Sequence, residues 1–78
     1  MISDRLRKVV ERVLGRQSLK LEDEMLATEV PGWDSLTHVT ILTAIEDEYG
    51  IRFQRLEIVR LRNLGALQAL VDSKLAGR

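Results

Sequence analysis

From Leu36 to Tyr49 the sequence runs without a glycine or proline, and its apolar residues recur at helical spacing. Pro31-Gly32 precedes this stretch and Gly50 follows it, so turn chemistry marks both ends. At about 100° per residue, Ile41, Leu42, Ile45 and Tyr49 share one side, with His38 in the middle of it. A chain with this stretch at its centre is committed to burying a helical stripe. Asp34 and Ser35 stand at its head, and both residue types accept hydrogen bonds from the free N–H groups of a first helical turn. The predicted helix begins at Ser35 or Leu36 and leaves the Ser35 hydroxyl at or beside its positive end, where an anion is favoured. From these residues alone, a plain capping role for Ser35 stands beside a phosphate-bearing one. Leu36 and Val39 lie off the buried side and are expected to be partly exposed near Ser35, as part of a docking surface. Glu46, Asp47 and Glu48 gather at the far end of the helix, where the dipole disfavours negative charge. Use by a partner and an ordinary solvated run both account for them.

The rest of the chain reads as helices that supply the other walls. Ser3 can cap a first helix to about Leu14, with Gly15 as its stop signal. Ile2, Leu6, Val9, Val10, Val13 and Leu14 form its apolar face. Residues 16 to 34 make the longest connection, and Leu19, Leu21, Met25, Leu26 and Val30 are expected to pin it across the bundle. Glu22, Asp23 and Glu24 read as a solvated turn. Trp33, the sole tryptophan, reads as a lid over the bundle end, with a partner or prosthetic-group contact as the alternative. Beyond Gly50, Ile51 to Phe53 is an extended connector, and Leu56, Ile58, Val59 and Leu61 suit a short helix among Arg55, Arg60 and Arg62. Asn63 caps a last helix with Leu64, Leu67, Leu70, Val71 and Leu75 toward the core, slightly weakened by Gly65. The expected architecture is all-α: a four-helix bundle of three longer helices and a short third, with a long loop between the first two, forming one domain over residues 1–78.

Bulk properties remove whole classes of function. A chain of 78 residues buries only about 60% of its unfolded surface, and without cysteine its stability rests on helix packing. The 12 basic and 12 acidic side chains cancel, which argues against a nucleic-acid binder. No uncharged stretch approaches the roughly 20 apolar residues of a membrane span, and the start of the chain reads as an amphipathic helix, without a signal peptide's apolar block. A cytoplasmic, soluble, monomeric protein is expected. His38, the only histidine, reads as a side chain satisfied inside the bundle in preference to a catalytic base. No second histidine or cysteine offers a triad or a metal site, so no enzyme is expected.

Gly32-Trp33-Asp34-Ser35-Leu36, followed by Ile41-Leu42 and by Ile45-Glu46-Asp47-Glu48-Tyr49-Gly50-Ile51, resembles the acyl carrier and peptidyl carrier protein family over nearly the whole chain. The resemblance implies that Ser35 is the attachment point for 4′-phosphopantetheine, transferred from coenzyme A by a separate Mg²⁺-dependent phosphopantetheinyl transferase. It places Asp34 where the family's aspartate helps hold that metal ion, and Leu36 where the family's leucine docks into partner enzymes. Val39 and Thr43 lie along the recognition helix, with Glu46 and Glu48 as candidate salt-bridge residues toward basic partners. The implied partners are the transferase, an acyl- or aminoacyl-activating enzyme, and an acyltransferase or synthase. The implied function is a carrier that holds an acyl or aminoacyl group as a thioester. The alternative is a carrier-fold interaction module that never receives the arm. This chain departs from the strongly acidic fatty-acid members of the family. It is neutral, it has Thr37 and Thr40 where many of those are acidic, and it has Arg52, Arg55, Arg60 and Arg62 around the third helix. Those departures favour a specialised pathway over housekeeping fatty-acid synthesis, as does Trp33 ahead of the Asp-Ser-Leu tripeptide.

Overall fold

In a computed structural model, which describes residues 1–77, the chain folds into four α-helices. They are α1 (Asp4–Leu14), α2 (Ser35–Tyr49), α3 (Arg55–Val59) and α4 (Leu64–Ala76), with a 3₁₀ turn at Ala27–Glu29 between α1 and α2. No strand forms among the described residues. The ends follow local chemistry. The Ser3 side chain accepts from Leu6 N–H, Asn63 accepts from Ala66 N–H, and α1 and α2 stop at Gly15 and Gly50 in the left-handed conformation. At φ near +66°, the Gly50 N–H reaches back to the Glu46 carbonyl, a C-terminal geometry that a Cβ would strain.

The expected faces meet in one core. Leu6, Val9 and Val10 of α1 pack with Ile41, Leu42, Ile45 and Tyr49 of α2 and with Leu64, Leu67 and Val71 of α4. Ile51 of the connector is buried with them, while Leu75 lies partly buried at the edge and Leu70 is only half-buried. In the connection between α1 and α2, Val30 is fully buried, and Leu19, Leu21 and Met25 pack partly against the core. Leu26 departs from its expected pinning role: it is 47% exposed and opens the 3₁₀ turn. Its neighbours on either side already turn the chain inward, so its own side chain is left outside.

Gly65 also has a role that helix propensity does not reveal. The backbone of Asp23 lies directly against it, so that an added Cβ would come within 2.9 Å of Asp23 Cβ and 3.1 Å of its carbonyl oxygen. Across this contact Gly65 N–H donates to Asp23 O and Leu64 N–H to Met25 O, each at 2.9 Å. The turn read as merely solvated therefore satisfies the first amides of α4, groups that no intrahelical partner can reach. Gln68, nearly buried, ties the same helix to α1 by accepting from Ser3 N–H.

Candidate functional site

The start of α2 is built differently from the start of α4. Asp34 sits in an extended conformation as its N-cap, and its carboxylate accepts from Thr37 N–H at 2.8 Å. Its carbonyl takes His38 N–H, also at 2.8 Å. No loop backbone bonds to the amides of Ser35 or Leu36 among the described residues. Where α4 is closed by the Asp23–Met25 segment, α2 opens to solvent. Ser35, its first residue, is exposed. Its side chain thus sits on the positive end of a four-turn dipole, in surroundings that suit a phosphate ester.

The Asp34 carboxyl lies below its ordinary value, chiefly because Thr37 N–H donates to it, with the Thr37 side chain adding a second hydrogen bond. It is therefore an exposed, ionised group beside the serine. A carboxylate has more acceptor positions than the Thr37 amide and hydroxyl fill, so capping the helix does not exhaust Asp34. Among the described residues, no group of three His, Cys, Asp or Glu side chains is placed to hold a metal ion by itself.

Beyond Ser35, Leu36 is 80% and Val39 61% exposed, and Thr43 is exposed one turn further on. These three follow steps of three and four residues and form one stripe along the outer side of α2. Glu46 and Glu48 are placed otherwise. Both are half-buried and engaged within the fold: Glu46 accepts from Phe53 N–H at 2.8 Å, and Glu48 takes Arg5 Nε at 2.9 Å. Arg5 also donates to the Glu48 carbonyl and lies 4.4 Å from the centroid of the Tyr49 ring. The acidic end of α2 is thus partly compensated by α1 and the connector, and Asp47 is its exposed carboxylate. On α3, Leu56 and Val59 stand largely in solvent, at 68% and 73% exposure, beside the exposed Arg52, Arg55 and Arg60.

Trp33 and His38 turn out to be one feature. Trp33 is 6% exposed, and its indole Nε1–H donates to His38 Nδ1 at 3.0 Å, with the ring centroids 6.1 Å apart. The sequence offers no signal for this pair, because Trp33 precedes the helix and lies outside its periodicity. The two side chains help to line a half-open cavity of about 100 Å³, together with Ala27, Ile58, Leu61 and Leu67. A larger open groove of about 690 Å³ runs between the first residues and residues 18–24, and α2 contributes nothing to it.

No curated protein matches the chain. Its structure is similar to the solution structure of a holo acyl carrier protein from Geobacter metallireducens, with a TM-score of 0.88 and 36% sequence identity, covering 95% of this chain and 85% of that one. Residues 4–71 match the family described as "Phosphopantetheine attachment site". With that match spanning most of its length, the chain belongs to this family: it is a non-catalytic carrier protein for covalently attached 4′-phosphopantetheine.

Proposed function

We propose that Ser35 is the residue that receives the arm, and that the protein shuttles an acyl or aminoacyl group between enzymes of a specialised pathway in the cytoplasm. The single observation that carries this reading is the exposed Ser35 at the uncovered start of α2, locked in register by the Asp34 cap. When bound, the group supplies a thiol on a flexible tether, which this cysteine-free chain lacks, and so holds the cargo as a thioester.

The chain's own residues do the rest. Asp34 fixes the first turn and offers carboxylate oxygens to the Mg²⁺ that a transferase brings. The amides at the helix start favour the phosphodiester by roughly 0.3–1 kcal/mol. Leu36, Val39 and Thr43 present a narrow docking stripe to the transferase, to an activating enzyme and to an acyltransferase or synthase. Glu46 and Glu48 are half-buried and already engaged with Phe53 N–H and Arg5 within the fold, so Leu36 and Val39 carry the greater share. The neutral charge balance and the exposed arginines around α3 weaken steering toward basic synthases and support a dedicated partner set.

Incubation with coenzyme A and a broad-specificity phosphopantetheinyl transferase tests the assignment. Intact mass should show one arm on the wild type and none on Ser35→Ala, while circular dichroism shows both folded. A modified Ser35→Ala protein, or a wild type left bare by several transferases, would refute it.

A further inference from the structure

α3 presents to solvent a face that the bundle itself does not use. At about 100° per residue, Arg55, Val59, Leu56 and Arg60 fall within about 140° of one another, and all four are exposed. Ile58 lies off that arc, half-buried and packed against the core. The helix's one carboxylate is drawn away as well: Glu57 takes Lys74 Nζ at 2.8 Å and Gln54 N–H at 2.7 Å. Among the described residues, Arg52, Arg55 and Arg60 form no ion pair within the fold. Two apolar side chains are thus left in water between uncompensated guanidinium groups. Ile58 and His38 line one cavity, so α3 lies beside the helix that carries Ser35.

We infer that the outer face of α3 docks a partner protein whose surface sets carboxylates around apolar side chains, the opposite charge from a basic synthase. Guanidinium groups pair with carboxylates through two parallel hydrogen bonds, and Leu56 and Val59 supply the apolar contact between them. A lipid surface fits less well. A helix lying in a membrane interface buries one whole apolar face, whereas α3 has five residues and commits Ile58 to the bundle. A nucleic acid does not match a chain whose charges cancel. That this partner is an enzyme of the carrier's own pathway rests on the proposed function; the docking chemistry does not.

The test titrates the isotope-labelled full chain with two amphipathic helical peptides that share their leucines, one with glutamates beside them and one with lysines. Backbone amide resonances of α3 report contact. The glutamate peptide should shift those of residues 56–59 saturably at low salt, and the lysine peptide should leave them in place. Arg55→Glu with Arg60→Glu should weaken the glutamate peptide roughly tenfold and let the lysine peptide bind instead. Leu56→Ala keeps the charges and should also weaken the glutamate peptide roughly tenfold, which keeps the test decisive should the charge variant unfold. Equal response to both peptides, or shifts confined to other elements, overturns the inference. Sedimentation with phosphatidylglycerol vesicles that the double variant abolishes also overturns it, and assigns the face to a lipid surface. A dimer in ultracentrifugation that the double variant dissolves overturns it in favour of a second copy of this chain. A Ser35 left without its arm while the peptide response persists overturns the shuttle alone. A modified Ser35 without that response overturns the docking face alone.

Discussion

Replacing Gly65 by alanine separates a reading by propensity from a reading by packing, because the two disagree in sign. Within a helix the substitution ordinarily stabilises by about 0.8–1 kcal/mol. Here the new Cβ would lie 2.9 Å from Asp23 Cβ, 3.1 Å from its carbonyl oxygen and 3.2 Å from its Cα. Two of those atoms are backbone, so no rotamer change relieves the overlap. Moving the segment aside lengthens the bonds from Leu64 and Gly65 to Met25 and Asp23, each worth about 0.5–1.5 kcal/mol net. Overpacking itself costs typically 1–3 kcal/mol. The sum favours destabilisation by roughly 1–5 kcal/mol after the propensity gain is subtracted, the upper end applying only if both bonds are lost outright. Urea unfolding followed by circular dichroism would show a lower midpoint at unchanged slope. A Gly65→Ala protein as stable as the wild type, or more so, would show that the Asp23 contact does not govern this position.

Three further outcomes follow from contacts already described. His38→Ala leaves the buried Trp33 N–H without its acceptor and should cost roughly 1–3 kcal/mol, with a shift in tryptophan emission as the accompanying signal. Arg5→Ala removes the Glu48 pair and the contact with Tyr49. Because Arg5 is more than half exposed, about 1 kcal/mol is expected, with the Coulombic part shrinking in high salt. For acid sensitivity, Asp34 and Glu57 both have carboxyls held below their ordinary values of 3.8 and 4.5, by Thr37 N–H and by Lys74 respectively. Their stabilisation is complete above those values and is lost as pH falls through the lower folded ones. Glu57→Gln should therefore be less stable than the wild type at neutral pH, and the difference should vanish in acid.

The legible parts of the fold were those written in local periodicity. The faces of α1 and α2, the caps at Ser3 and Asn63, and the glycine stops each depend on a few neighbouring residues, and the structure reproduces them; at the head of α2 the sequence left Asp34 and Ser35 open, and the cap is Asp34. Contacts between residues far apart in sequence were not legible. The purpose of Gly65 is visible only once Asp23 is known to lie against it, and Glu46 and Glu48 look free until Phe53 N–H and Arg5 arrive from other elements. At the site, exposure of Leu36 and Val39 followed from helical phase. The Trp33–His38 bond did not, because it joins a residue before the helix to one inside it.

On the proposed reading, the outer stripe of α2 also explains why such a carrier can leave its partners. Fully burying Leu36 and Val39 is worth about 1.5–3 kcal/mol each, and both begin largely exposed. Together they supply less than about 6 kcal/mol, whereas association costs an estimated 4–15 kcal/mol or more in lost motion. Two apolar side chains therefore roughly break even at best, and the partner's grip must be completed by charges and by the tether entering its active site. Once the transferred group has left, the second contribution falls away and dissociation follows. A larger apolar stripe would bind each partner longer and slow the shuttle. Retaining the cargo falls to a covalent bond at one end of α2, so the surface beside it is free to stay weak.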